Sequence, residues 1–166
     1  MERFIESVVV EDDLIKTIKF QRGREVRPLE AALAALRPQD RIKWIDRLAP
    51  FEAIACEWAL AQAYEAALKI KVSLRAEHIR ALLAELQRLN WGFHYLSQVF
   101  RALEDATRLQ QALRLREYTS QGLEIFTGAR VLPQALCLGG VERDFSVGEI
   151  RKFKELLRNI EFEMRL

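Results

Sequence analysis

An apolar stripe running from residue 75 to residue 103 constrains this chain more than any other feature. Ile79, Leu82, Leu83, Leu86, Phe93, Leu96, Phe100 and Leu103 recur at spacings of three, four and seven. That is the spacing that stacks side chains on one face of a helix with 3.6 residues per turn. So long a striped helix must lay its stripe against other elements. The flanking segments supply them. Residues 51–69, FEAIACEWALAQAYEAALK, are rich in the strong helix formers Ala and Leu. Phe51, Ile54, Trp58 and Glu65 share a face there, and the segment is apolar almost all round, which predicts a central position. A second long helix is expected from about Asp105 through Arg116 towards Phe126, with Gly122 a mild weak point. Ser146-Val147-Gly148-Glu149 reads as a capping box that opens a last helix.

Shorter pieces complete the pattern. Residues 28–36 form a brief helix with Pro28 at a permitted early position, and Arg37-Pro38 ends it. Residues 40–48 begin another, which Pro50 interrupts, and 70–73 form an extended connector. Residues 4–20 mix a β-branched run with alternating polar residues, a weak strand or strand-pair signal that Gly23 closes. The expected fold is an all-α helix bundle with an irregular Gly/Pro-containing strap over about 128–145 and short N-terminal strands. The chain divides into an N-terminal segment, 1–25, and a helical core, 26–166.

Bulk properties narrow the function classes. The chain has 166 residues, half of them hydrophobic, enough for one domain with a real core. The net charge is only +2, with acids and bases interspersed, which argues against nucleic acid as a partner. No apolar run is long enough to span a bilayer, so membrane association is expected only through partners. MERFIESVVVEDD lacks the basic and apolar regions of a secretory signal. Cys56 and Cys137 form no CxxC and no zinc spacing, which reads as two free thiols in a cytoplasmic protein.

The strap, TGARVLPQALCLGGVERD, breaks the helical pattern with Gly128, Pro133, Gly139 and Gly140. Neither phosphate-binding pattern, GxxxxGK[ST] or GxGxxG, is present, so the glycines read as turn or packing positions. His78 and His94 are too far apart for a single-helix metal pair and read as half-buried. Trp91, Phe93, Tyr95 and Phe100 read as a core or interface cluster. Arg108, Arg114 and Arg116, mixed with Glu104, Asp105 and Glu117, read as a solvated or ion-paired face. Glu65 shares a face with apolar residues and needs a cation or donors. It is either ion-paired to an arginine of a neighbouring helix or a proton-handling carboxylate with a raised pKa.

The run RAEHIRALLAELQRL followed by LREYTSQGLEIFTGARVLPQALCLGGVERD resembles the hydrogenase-like D subunit of NADH:quinone oxidoreductase (respiratory complex I). That protein is itself similar to [NiFe]-hydrogenase large subunits. The family pattern runs RAxxIRxLLxELxRI, then RExE, then TGARMxPxxxRxGGVxRD. Upstream, IDRLAPFEAIACEWALAQAYEAALKI resembles the family's VDRLDYVSxMxNEHAYCLAVEKLLGI. The resemblance covers roughly residues 26–160. Shared motif positions are Asp46, Arg47, Glu57, Glu65, Arg75, Arg80, Glu85, Arg88, Arg116, Glu117, Gly128, Arg130, Pro133, Gly139 and Gly140, all scaffold-like. The resemblance assigns none of them to catalysis, a cofactor or a metal.

The departures fall where the resemblance places the family's chemistry. The family's quinone-headgroup tyrosine corresponds to Pro50, which offers neither hydroxyl nor N–H. The hydrogenase cysteines correspond to Ala49 and Glu52. Gly92 stands for a frequent histidine, Ala102 for an acidic residue and Cys137 for the strap arginine. The resemblance therefore implies a shortened D-like protein whose helical core is kept and whose redox cavity is dismantled. The expected role is a non-catalytic scaffold component of an electron-transfer complex. It holds no cofactor itself, and quinone and an iron–sulfur partner are its family context. The alternatives are a homodimeric or larger assembly module, and a binder of hydrophobic small molecules such as quinones or lipids without redox activity.

Overall fold

The structure is a computed structural model that describes residues 3–22 and 29–165. Gly23 and Pro28 lie outside those residues. The long striped segment is a single helix, α4 (Leu74–Ala102), opened by Ser73, whose hydroxyl accepts the Ala76 N–H. It turns back into α5 (Ala106–Thr127) through Glu104, which takes left-handed backbone, and Asp105, whose carboxylate caps the Arg108 N–H at 2.9 Å. The two helices form an antiparallel hairpin, and α6 (Val147–Met164) packs on α5. The capping box is as expected. Ser146 Oγ accepts the Glu149 N–H, and Glu149 Oε2 accepts the Ser146 N–H at 2.7 Å.

These three helices enclose the core. Ile79, Leu83 and Leu86 of α4 meet Leu123 and Phe126 of α5 and Phe153 and Leu156 of α6. Phe126 stacks on Phe145 at 4.1 Å between centroids and meets Phe153 edge-on at 4.8 Å. A smaller cluster of Phe93, Leu115 and Ile160 continues the seam. Beyond it the α4 stripe opens to solvent, and Leu96 and Leu103 are exposed.

Before α4 come α1 (Leu29–Ala35), α2 (Pro38–Trp44), two 3₁₀ turns (Ile45–Arg47 and Pro50–Glu52) and α3 (Ala53–Leu68). Pro38 sits in the first turn of α2, where a missing N–H costs nothing. Two expectations are corrected here. Residues 40–48 do not continue as one α-helix, because α2 tightens into a 3₁₀ turn after Trp44. Nor is α3 central. It buries a single face, Ala53, Ile54, Glu57, Ala61 and Glu65, and leaves most of its alanines outside. Alanine is small enough for either setting, so an Ala-rich helix reads as apolar all round whatever it packs against. Phe51 belongs to the preceding turn and is exposed.

At the N-terminus, β1 (Arg3–Glu11) and β2 (Leu14–Arg22) pair antiparallel around Asp12 and Asp13. Both turn residues have positive φ, 50° and 60°, as a two-residue hairpin turn requires. Every side chain from Ser7 to Lys19 is exposed.

The strap contains a miniature hairpin, β3 (Leu136–Cys137) with β4 (Gly140–Val141). Gly139 between them has φ 85°, a conformation that a side chain strains. Gly140 does not, and a Cβ there meets only ordinary contact at 4.0 Å. Gly122 is not a weak point but the contact point of three helices. A Cβ at that position lies 3.0 Å from Leu86 Cδ2 and 3.1 Å from Phe153 Cε2. Gly122→Val is therefore expected to destabilise the fold by about 1–3 kcal/mol through overpacking. Urea denaturation followed by far-UV circular dichroism measures this directly, and a variant as stable as the parent contradicts the packing account.

Candidate functional site

The strap has neither a helix nor a wide sheet to satisfy its backbone, so side chains of α3 and α4 do so. Arg80 of α4 is fully buried. Its Nη1 donates to Glu65 Oε2 at 2.9 Å and its Nη2 to Glu65 Oε1 at 2.6 Å, a bidentate pair between α4 and α3. The same guanidinium donates from Nε and Nη2 to the Gly140 carbonyl at 3.1 and 2.8 Å, and from Nη2 to the Cys137 carbonyl at 3.0 Å. Glu65 Oε1 also accepts the Gly139 N–H at 2.8 Å. The hydrogen bonds from Arg80, joined by that of Gly139, hold the Glu65 carboxyl below its ordinary pKa against the opposing effect of burial. Glu65 is thus the ion-paired carboxylate and not a proton-handling one. Cys137 contributes its carbonyl here, so the dock does not depend on which side chain stands at that position.

Eight residues earlier on the same face, Glu57 is also fully buried. Its Oε2 accepts the N–H groups of Ala135 and Leu136, both at 3.0 Å, while Oε1 has no partner among the described residues. Among the described residues no cation offsets its burial, and the carboxyl is pushed up to about 7. Asp46 in the first 3₁₀ turn is equally buried. Arg47 Nε lies 3.2 Å from its Oδ1 but out of line for a hydrogen bond, and burial raises its pKa despite that cation. The Asp46 charge adds to the rise at Glu57, as one carboxylate does beside another. Cys56 is half-buried beside them, its thiol pushed up by burial and by the nearby carboxylates.

A cleft of about 470 Å³ opens beside this dock. Pro50 and Phe51 line one side, Leu113, Arg116, Glu117 and Leu123 of α5 another, and Arg130, Val131, Leu132 and Pro133 of the strap a third. Two amides furnish its polar floor. Gln87 Oε1 accepts the Ile54 N–H at 2.9 Å, capping the start of α3, and Asn90 Nδ2 donates to the Arg116 carbonyl, Thr119 Oγ1 and Ser120 Oγ. Pro133 is buried and flanked by Leu132 and Gln134, both with positive φ, a strained wall of the cleft.

The remaining motif residues are distributed along the same frame. Arg130 bridges Glu117 and Glu124 of α5, both at 2.7 Å. Arg75 binds Asp144 at 2.8 Å, anchoring the far end of the strap to α4. Glu85 and Arg88 pair on the exposed face of α4. Gly128 caps α5 with φ 80°. The expected aromatic cluster is different in membership. Phe93 is core, Tyr95 is exposed, and Trp91 joins Phe51 and His94, with centroids 5.2–5.3 Å apart. His94 is half-buried as expected, but His78 is exposed. Arg114 pairs with Glu163 of α6, a contact no local pattern announces. Among the described residues, no three His, Cys, Asp or Glu side chains come together as a metal site.

No family model matches the chain. The C/D subunit of NADH-quinone oxidoreductase from Phocaeicola vulgatus is 27% identical over 150 residues, which are 90% of this chain and 29% of that protein. The D subunit from Campylobacter curvus is 30% identical over 132 residues, 80% of this chain and 32% of the relative. The D subunit from Amoebophilus asiaticus is 31% identical over 143 residues, 85% of this chain and 36% of the relative. The chain is a relative of the NADH-quinone oxidoreductase D subunit. This D-like chain spans about a third of the length of the curated relatives it matches. No helix among its described residues is long and apolar enough to cross a membrane.

Two measurements probe the dock. Because the Glu57 pKa is raised from 4.5 to about 7, its contribution to stability is complete below pH 4.5 and is lost as pH rises through 7. The parent chain is expected to lose about 3 kcal/mol from this group between those limits, and Glu57→Gln to lack that slope. Parallel stability curves for the two proteins from pH 5 to 8 contradict the assignment. Arg80→Met leaves Glu65 buried without its cation, at an expected cost of about 3–5 kcal/mol, and adding Glu65→Met restores part of it. A double variant less stable than Arg80→Met alone shows that the pair is not coupled in this way.

Proposed function

We propose that this D-like chain is a non-catalytic scaffold component of an electron-transfer complex. One observation carries the reading. The charged residues of the family motif are engaged with one another or with the strap: Asp46 with Arg47, Glu65 with Arg80, Arg75 with Asp144, Glu85 with Arg88, and Glu117 with Arg130. Glu57 binds the strap through two backbone N–H groups. Only Arg116 among them makes neither kind of contact with a described residue. The paired charges are committed to holding the scaffold, and Glu57 is committed to the strap. Pro50, at the lip of the cleft, supports the same reading, since it supplies no hydroxyl where the family resemblance places a headgroup-binding tyrosine. The relatives are by name subunits of an oxidoreductase, and a place beside other components of an electron-transfer complex is the corresponding context for this chain.

The cleft itself favours a second reading, a binder of hydrophobic small molecules such as quinones without turnover. Its walls are largely apolar, and its volume lies within the range of ligand pockets. Trp91 reports on it through Phe51, 5.2 Å away on the lining. The purified chain is expected to show no NADH-dependent reduction of decylubiquinone, and its tagged form to co-purify from native cells with a stoichiometric partner bearing an iron–sulfur signal. Turnover by the isolated chain, or isolation free of any such partner, overturns the scaffold reading. Saturable quenching of Trp91 by decylubiquinone without turnover supports the second, and a stable homodimer in sedimentation equilibrium supports a self-assembling module.

A further inference from the structure

A second cavity, of about 330 Å³, lies between α4 and α6, and its lining shares no residue with the cleft beside Pro50. Its apolar lining comes from Ile79 and Leu82 of α4, Phe126 of α5, Phe145 of the strap, and Phe153 and Leu157 of α6. Three basic side chains, Arg75, His78 and Lys154, share the lining, and no acidic one does. Arg75 is occupied by Asp144 at 2.8 Å. His78 and Lys154 are exposed and make no ion pair among the described residues. Lys154 faces the groove from α6 and His78 from α4, so both walls carry a free cationic or hydrogen-bonding head above an apolar floor.

Size and charge together select the occupant. The volume of about 330 Å³ is at the lower end of small-molecule pockets. The aromatic and aliphatic floor favours a hydrocarbon chain, and a rim with basic groups only favours an anion over a neutral or cationic head. We propose that this groove binds a single-chain anionic amphiphile, a medium-chain acyl carboxylate. The chain lies over Leu82, Phe153 and Leu157, and the carboxylate lies against His78 and Lys154. This site is separate from the cleft beside Pro50 and does not rest on the scaffold reading.

Carboxyl-¹³C dodecanoate, titrated below its critical micelle concentration into the full chain, tests it by NMR and calorimetry. One saturable site is expected, and shortening the probe to decanoate weakens binding about tenfold, the loss of two buried methylenes. Lys154→Glu and His78→Glu each weaken it at least tenfold, and Leu157→Glu abolishes it. All three positions are exposed, so circular dichroism of the variants is expected to match the parent. Absence of saturable binding overturns the proposal. So does undiminished affinity in Lys154→Glu or Leu157→Glu, or equal affinity for the neutral dodecyl maltoside.

Discussion

The buried pair between Arg80 and Glu65 is the interaction on which the rest of this structure depends. Removing two ions from water is costly, and their attraction alone does not offset it. Here strap backbone offsets much of the cost: two carbonyls accept from Nε and Nη2 of the guanidinium, and one N–H reaches the carboxylate. The pair therefore does more than join α3 to α4. It supplies the hydrogen-bond partners without which a non-helical strap could not lie against a bundle. With the strap held, Ala135, Leu136 and Phe145 close the core over Ile54, Ile79 and Phe126.

Glu57 and Glu65 stand on one face of one helix, and both bind the strap, yet their protonation behaviour is opposite. The difference is the cation. Glu65 faces a guanidinium and keeps its charge. Glu57 receives two N–H groups but, among the described residues, no cation, shares its surroundings with Asp46, and holds its proton towards neutral pH. The strap is thus fixed at Gly139 and Gly140 by a permanent charge pair and at Ala135 and Leu136 by a group whose charge depends on pH. Its far end is tied independently, through Asp144 to Arg75.

Kinship with the D subunit of NADH-quinone oxidoreductase is written mainly in this docking hardware. The shared arginines, carboxylates and glycines build the dock, the salt bridges along α5 and the turn of the strap. The cleft beside Pro50 is lined by the strap, the turn before α3 and α5. The groove between α4 and α6 lies where α6 meets the start of α4, and its lining includes Arg75 but otherwise few motif residues.

Much of this was legible in the chain itself. Periodicity marked α4, Ser146 and Glu149 marked the start of α6, and the Gly/Pro content marked the strap, because each depends on local geometry alone. Sequence also put Ile54 and Glu65 on one face of α3, but the alanines concealed that this face, completed by Ala53, Glu57 and Ala61, is the only one buried. Tertiary structure decided everything that depends on distance through space. It chose Arg80 as the partner of Glu65, set Glu57 beside Asp46, turned Gly122 from a weak point into a contact, and placed Trp91 beside Phe51. Sequence determines which groups a helix presents and at what spacing, but the protonation, pairing and burial of a group are set by neighbours that the chain brings together only on folding.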